Sequence, residues 1–281
     1  MSAADDTAPV FDLPDPQEPG RRVRVHVDAA AATPAPWILI AHGFKGFARW
    51  GFFPELARRL SAAGLTALRI DFSGNGVGDD GLNFTDDEGF EKDTISRQLE
   101  DLDRVRAWLT SGNCAAASAG PGGFLGHSRG GGLGIVHCAE HADYLAVTLW
   151  SAIETFDRFD EDTKAGWRTN GYLPIPNART GQIHRLGVSL LQDFEDQRER
   201  FDILAAAGRI RIPTLVVHGT ADPTVPVSAA EQIDAALPDS RLLAVEGAGH
   251  TFGAAHPLAG CPPELETVFD ATLEHFLRHL R

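Results

Sequence analysis

The segment Gly126-His127-Ser128-Arg129-Gly130 has the pattern G-x-S-x-G. The apolar run Gly123–Leu125 precedes it, and a helical pattern rich in small residues follows it. In such a strand–turn–helix setting the serine lies in a strained turn, and the flanking glycines relieve the crowding. The hydroxyl then lies at a helix N-terminus, where the helix dipole favours developing negative charge. The pattern therefore predicts that Ser128 is a nucleophile rather than part of a chance Gly-Ser turn.

A serine needs a base to take its proton, and sites of this kind have the chain order serine, acid, histidine. His250 lies in a glycine-rich loop directly after an apolar run, where catalytic loops of open α/β sheets are found. We therefore predict that His250 is the base, with His256 as the nearest alternative. His137 and His141 follow the serine too, but they fall on the next helix and are expected to point away from its start.

Asp222 is the predicted acid, because it lies between serine and histidine at the end of the run 214–218 and precedes a proline. Its carboxylate would fix the tautomer of His250 and stabilise the imidazolium. The alternative is an ordinary Asp-Pro turn. His218, at a strand end, and His42, which comes before the serine, are predicted to be structural.

Two backbone amides are predicted to hold an oxyanion. One is the N–H of Arg129, directly after the nucleophile, and the other is the N–H of Phe44, in the loop after an earlier strand. The glycine cluster 74–78 contains G-x-G-x-G, but the two aspartates that follow it would repel a pyrophosphate. We therefore expect a tight structural loop here rather than a dinucleotide site, and no metal is expected.

The elements that must position these residues alternate between strand and helix. An alternating pattern at residues 22–27 predicts a half-buried strand. Continuous apolar runs, typical of strands buried on both faces of a parallel sheet, occur at 37–41, 66–72, 123–126, 144–150, 214–218 and 241–245. Helical patterns separate these runs, so we predict an α/β fold with a doubly wound, mostly parallel sheet.

The predicted domain organisation follows from the segments in which strands and helices do not alternate. Residues 1–20, acidic and proline-rich, are predicted to be a flexible arm. Residues 21–152 and 207–281 form the predicted core, and 153–206 a cap inserted over the sheet. The aromatic residues of the cap are expected to line the substrate pocket. The alternative is that this segment packs beside the sheet as ordinary helices and loop.

Charge and composition exclude several classes of partner. The net charge of −14 disfavours nucleic acid and anionic membranes. No export signal or membrane span is apparent, so a cytoplasmic location is expected. Three cysteines without C-x-x-C spacing are expected to be reduced thiols. The sequence does not determine the oligomeric state.

The motifs together resemble those of α/β-hydrolases, over about residues 22–281. They are, in chain order, His42-Gly43-Phe44, residues 69–76, Gly126–Gly131, His218–Asp222 and Gly249-His250. The similarity is strongest to intracellular bacterial esterases, including cinnamoyl (feruloyl) esterases, and to serine-aminopeptidase-like hydrolases. The resemblance implies an acyl-serine mechanism, no cofactor and a small-molecule ester as substrate. Alternatives that remain open are an aminopeptidase or amidase with the same triad and a non-enzymatic binding protein on this fold.

Overall fold

The computed structural model describes residues 7–18, 20–177 and 180–280. Its strands are β1 (Val10–Pro14), β2 (Arg22–Asp28), β3 (Trp37–Ala41), β4 (Thr66–Asp71), β5 (Gly122–His127), β6 (Tyr144–Trp150), β7 (Tyr172–Pro176), β8 (Ile183–Gly187), β9 (Thr214–Gly219) and β10 (Ser240–Val245). Its helices are α1 (Phe53–Ala62), α2 (Asp87–Glu91), α3 (Ile95–Thr110), α4 (Arg129–Glu140), α5 (Glu161–Asn170), α6 (Val188–Asp196), α7 (Ile203–Ala207), α8 (Val227–Ala236) and α9 (Pro263–His279).

Eight of the strands form one sheet in the order β1-β2-β4-β3-β5-β6-β9-β10. The β1–β2 and β2–β4 pairs are antiparallel, and every pair from β4 to β10 is parallel. The central strands β3, β4 and β5 are buried along their whole length, which explains their continuous apolar or small-residue character. The predicted doubly wound, mostly parallel sheet is confirmed.

Helices cover both faces of this sheet and close two hydrophobic cores. Leu56 of α1 and Phe269 of α9 belong to the core on one face. Leu102 of α3, Ile135 of α4 and Ile233 of α8 belong to the core on the other face. Each large apolar side chain buried in this way contributes about 1.5–3 kcal/mol. Among the described helices, none is both long and apolar enough to cross a bilayer.

The N-terminal segment differs from the prediction of a flexible arm over residues 1–20. Residues 1–6 and 19 lie outside the described residues, but Val10–Pro14 form the edge strand β1, so this part of the prediction is wrong. The side chain of Asp15 accepts hydrogen bonds from Arg21 and Arg104, at 3.0 and 2.7 Å. Strand formation here depends on a neighbouring strand and on distant ion pairs, which the local composition does not reveal.

The inserted segment between β6 and β9 contains α5, an antiparallel hairpin of β7 and β8, α6 and α7. The sequence pattern had indicated no strand here. Trp167, Ile175 and Leu186 form a small core of their own together with Phe90 of α2. The end of the segment packs differently, because Ile203 and its neighbours in α7 join the main core beside α4.

Candidate active site

The turn between β5 and α4 carries Ser128 at the carboxyl edge of the sheet. Ser128 is the N-cap of α4 and has a φ of +56°, in the left-handed region that side chains rarely adopt. A Cβ on Gly126 would lie 2.4 Å from the carbonyl oxygen of Gly130, and one on Gly130 would lie 2.5 Å from that of Ala41. Only glycine fits at both positions, so the motif is a steric requirement of this turn.

A chain of hydrogen bonds joins Ser128, His250 and Asp222, which come from three separate loops. Oγ of Ser128 lies 3.1 Å from Nε2 of His250, and Nδ1 of His250 lies 2.7 Å from Oδ2 of Asp222. A carboxylate can only accept, so Nδ1–H donates to Asp222 and Nε2 is left to accept the serine proton. The structure therefore brings the three predicted residues together in the geometry that a nucleophile and its base require.

The environment of Asp222 keeps its carboxylate ionised. Burial alone would raise its pKa, but hydrogen bonds from His218, His250 and the backbone amides of Val225 and Thr224 outweigh burial and hold the pKa well below its usual range. The two amides donate to Oδ1 over 3.0 and 2.8 Å. His218 thus supports the acid, and its Nε2 also lies 2.9 Å from the carbonyl oxygen of Val225.

His127, the residue before Ser128, holds the loop that carries His250. Its Nε2 lies 3.0 Å from the carbonyl oxygen of His250, to which the N–H donates. Burial lowers the pKa of His127 to about 3, so the ring is neutral and its one N–H lies on Nε2, facing this carbonyl. The sequence analysis missed this role. The only signal in the sequence was that the first variable position of G-x-S-x-G is a histidine, whose ring nitrogen can form a hydrogen bond when the ring is buried.

The amides of Phe44 and Arg129, the predicted oxyanion donors, lie beside Ser128. The carbonyl oxygen of Gly43 accepts from Nδ1 of His42 at 2.8 Å and from the amide of Gly46 at 2.9 Å. Because C=O and N–H point in opposite directions in a trans peptide, the Phe44 N–H faces away from both groups. Arg129 opens α4, where the first amides have no helical partner. Within the described residues neither amide donates a hydrogen bond.

His42 and His256, the other histidines close to this region, have structural contacts. His42 is buried, which lowers its pKa, and it orients the Gly43 carbonyl as described above. Nδ1 of His256 accepts from the amide of Gly51 at 3.0 Å, and its ring packs edge-on against Phe47.

A cavity of about 320 Å³ opens onto Ser128 and His250. Its aromatic wall comes from loops of the core and from α1, as Phe44, Phe47, Trp50, Phe53 and Phe84. The expectation that aromatic residues of the inserted segment line the pocket is wrong for the described residues, since Asn177 is the one residue of that segment among those lining it. The aromatic side chains of the segment pack instead against each other, as Phe159 does with Trp167 and Phe156 with Phe201.

A buried polar network begins at Arg129, the residue after Ser128. Nε of Arg129 donates to Oε1 of Gln98 at 2.9 Å, and Nε2 of Gln98 donates to Oδ2 of Asp93 at 2.7 Å. Burial raises the pKa of Asp93 to about 7, although the charge of Arg129 opposes the shift. The Arg129 side chain is therefore anchored in the interior, and its guanidinium lies 5.7 Å from the centre of the Phe44 ring.

The raised pKa of Asp93 predicts a pH-dependent stability. A carboxyl with a higher pKa in the folded chain favours folding while protonated, so the wild type loses stability as the pH rises from about 4 to about 7. Asp93→Asn keeps an acceptor for Gln98 and stays neutral. We expect it to gain about 3 kcal/mol relative to the wild type between pH 4.5 and pH 8, measured by urea unfolding. Asp239→Asn, at an exposed position before β10, is the control for loss of one charge. A difference for Asp93→Asn that does not change with pH would contradict this assignment.

The fold and this site define the class of protein. The chain matches the model of the alpha/beta hydrolase family over residues 38–261 and belongs to that family. The resemblance inferred from the motifs is confirmed, and the chain is placed among the hydrolases.

Solved structures of esterases and lipases share the fold. Est1E from Butyrivibrio proteoclasticus with bound ferulic acid superposes with a TM-score of 0.73, at 21% identity, over 96% of this chain and 98% of Est1E. The esterase domain of a Rhodothermus marinus protein gives a TM-score of 0.65 at 19% identity, over 97% and 99% of the two chains. A monoacylglycerol lipase from Paleococcus ferrophilus gives 0.68 at 18% identity, over 92% and 99%.

One curated protein matches a shorter stretch. The polyketide synthase ThaQ of Burkholderia thailandensis (strain ATCC 700388 / DSM 13276 / CCUG 48851 / CIP 106301 / E264) is 41% identical over 81 residues. These residues are 29% of this chain and span 4% of the length of the synthase.

Proposed function

We propose that this protein hydrolyses carboxylic esters through an acyl-serine intermediate. The observation that carries the proposal is the hydrogen-bonded chain from Ser128 through His250 to Asp222, which opens onto an aromatic cavity. An activated serine, a base and an ionised acid in this order form the general arrangement for acyl transfer. The proposal is tested directly by turnover of aryl and alkyl esters by the wild type.

The reaction proceeds in two halves. Oγ of Ser128 attacks the ester carbonyl carbon while Nε2 of His250 takes the hydroxyl proton, and the amides of Phe44 and Arg129 stabilise the oxyanion. The carbon–oxygen bond to the alcohol then breaks, and His250 returns the proton to the departing alkoxide. Water, deprotonated by His250, attacks the acyl-serine in the second half, which releases the acid and restores the Ser128 hydroxyl. Asp222 stays ionised throughout and stabilises the imidazolium.

The lining of the cavity favours esters with an apolar or aromatic acyl or alcohol group. Ligand sites bind mainly through apolar contacts with a few polar groups that fix orientation. Here the aromatic wall supplies the apolar contacts, and Asn177 and Lys45 are polar residues among those that line the cavity. An aminopeptidase must also bind a free α-ammonium, yet no carboxylate lines the cavity among the described residues. Asp157 is already paired with Lys164, 2.5 Å away.

The preference for esters over aminoacyl amides gives a quantitative prediction. We expect kcat/KM for an aryl or short acyl ester to exceed that for an aminoacyl anilide at least about a hundredfold, which corresponds to about 2.7 kcal/mol in the barrier. Amines leave only when protonated, and nothing in the described cavity wall offers a counter-charge for the ammonium. Steady-state kinetics on both panels measures the ratio. Comparable values, with amide turnover lost in Glu154→Gln or Asp157→Asn, would favour the peptidase.

A further inference from the structure

A second cluster of polar side chains lies at the opposite end of α4 from Ser128. His137 and His141 are one turn apart near the end of this helix, and Asp103 of α3 faces them. Oδ1 of Asp103 is 3.5 Å from Nδ1 of His137 and 2.6 Å from Nε2 of His141. The nine residues from Ser128 to His137 correspond to about 14 Å along the helix, so this cluster is separate from the catalytic site.

The atoms of this cluster that could bind a metal lie within 4.8 Å of one another. The hydroxyl of Tyr144 lies 2.8 Å from Nε2 of His137, which leaves Nδ1 of this ring directed toward Asp103. Oδ1 of Asp103 and Nε2 of His141 are shielded from water, yet neither has a hydrogen bond of acceptable direction among the described residues. These two atoms are close together but not aligned for a hydrogen bond to each other. Their arrangement is better suited to binding the same third atom.

We propose that Asp103, His137 and His141 bind a divalent transition-metal ion of the zinc class. One ligand atom from each residue lies within 4.8 Å of the others, and tetrahedral ligands about 2.1 Å from zinc are about 3.4 Å apart, so small side-chain shifts close the site. Two imidazoles and one carboxylate favour zinc, nickel or cobalt over magnesium and calcium. Nε2–H of His137 would donate to Tyr144 and fix the ring, as outer contacts of metal ligands do.

The charges around the cluster are compatible with a cation. Arg106 lies 4.0 Å from Oδ1 of Asp103, but its guanidinium is paired with Asp143 at 2.5 Å. Arg200 is held by both carboxylate oxygens of Glu140, at 2.8 and 2.9 Å. Both cations are thus neutralised by their own partners, and the carboxylate of Asp103 is left to balance part of the metal charge.

The position of the cluster defines what the metal would do. His137 is buried, whereas the side chains of His141 and Asp103 are 21% and 39% exposed, so small rotations of these two side chains would bring their ligand atoms to the surface, where an ion can reach them. A bound ion would join α3 to the end of α4 and so stabilise the helix that carries Ser128 at its start. The sequence analysis expected no metal. It did not detect this site because the third ligand, Asp103, lies in a different helix from the two histidines and is distant from them in the sequence.

Thermal unfolding of the full chain with zinc chloride tests the proposal. We expect saturating zinc, about a hundredfold above its Kd, to raise the Tm of the wild type by about 5 °C, and magnesium chloride to leave it unchanged. Calorimetric titration should give one zinc ion per chain. Asp103→Asn and His141→Gln should lose the shift while remaining folded, as both residues are partly exposed.

His279→Gln is the matched control, because His275 and His279 also lie one turn apart on a helix, with ring centres 4.9 Å apart, but belong to no such cluster among the described residues. It should keep the full zinc shift. No zinc shift in the wild type, an undiminished shift in both cluster variants, or its loss in His279→Gln would overturn the proposal. Because these readouts are stability and stoichiometry, their failure is distinct from a failure of the ester hydrolase proposal.

Discussion

Replacement of Ser128 by alanine is expected to lower the hydrolysis rate of an aryl ester about 10⁶-fold. The hydroxyl oxygen that forms the covalent bond is lost, whereas the cavity and the amides of Phe44 and Arg129 remain. A fluorophosphonate reagent, which reacts with activated serines, should label the wild type at Ser128 and should not label the variant. Mass spectrometry of the labelled peptide and initial-rate kinetics measure the two effects.

Ser151 provides a matched control for this experiment. It follows β6, has a φ of +46° and is fully buried, and its hydroxyl makes no hydrogen bond within the described part of the chain. Ser151→Ala should retain both labelling and turnover, because no base contacts its hydroxyl. Labelling that persists in Ser128→Ala would remove Ser128 from the nucleophile role. Absence of any labelling or ester turnover in the wild type would favour the non-enzymatic binding protein.

Replacement of His250 by alanine is expected to lower the rate about 10⁵-fold or more. Without this imidazole no group at 3.1 Å takes the proton of Ser128, and none returns a proton to the leaving alcohol. The fluorophosphonate reaction should slow in parallel, because it needs the same activated hydroxyl. Ester kinetics together with the rate of labelling separate this loss from a loss of substrate binding.

His256→Ala is the comparison that distinguishes the two loop histidines. Its ring packs against Phe47 and accepts from the amide of Gly51, so the substitution should lower stability but leave most of kcat. The assignment of the base would be reversed if His256→Ala were inactive although folded by circular dichroism, and if His250→Ala were active.

The sequence by itself determined the features that depend on residues close together in the chain. The backbone of one turn requires the two glycines around Ser128. The motif G-x-S-x-G could therefore be recognised in the sequence without knowledge of the residues that contact it. The continuous apolar runs of the central strands reflect burial on both faces, and this burial fixed the α/β class. The chain order of serine, acid and histidine then selected Asp222 and His250 as candidates.

The inserted segment and the N-terminal segment were predicted less well, for a common reason. The hairpin of β7 and β8 contains two prolines, Pro174 and Pro176, and gains stability from packing on Phe90 and Trp167. Strand β1 likewise depends on its pairing with β2. The proline and charged residues of these segments disfavour strands locally, whereas contacts with residues distant in the sequence stabilise the strands.

The tertiary structure alone decided what surrounds the candidate residues. His127 binds the backbone of His250, and His42 orients the Gly43 peptide. Asp103 of α3 contacts the histidines at the end of α4. The aromatic wall of the cavity also comes from core loops and α1 rather than from the insertion. Hydrogen-bond direction and shared burial are properties of atoms brought together from distant parts of the chain, so no local spacing encodes them. The sequence specifies which groups can react, and the packing of the sheet and its helices specifies which of them meet.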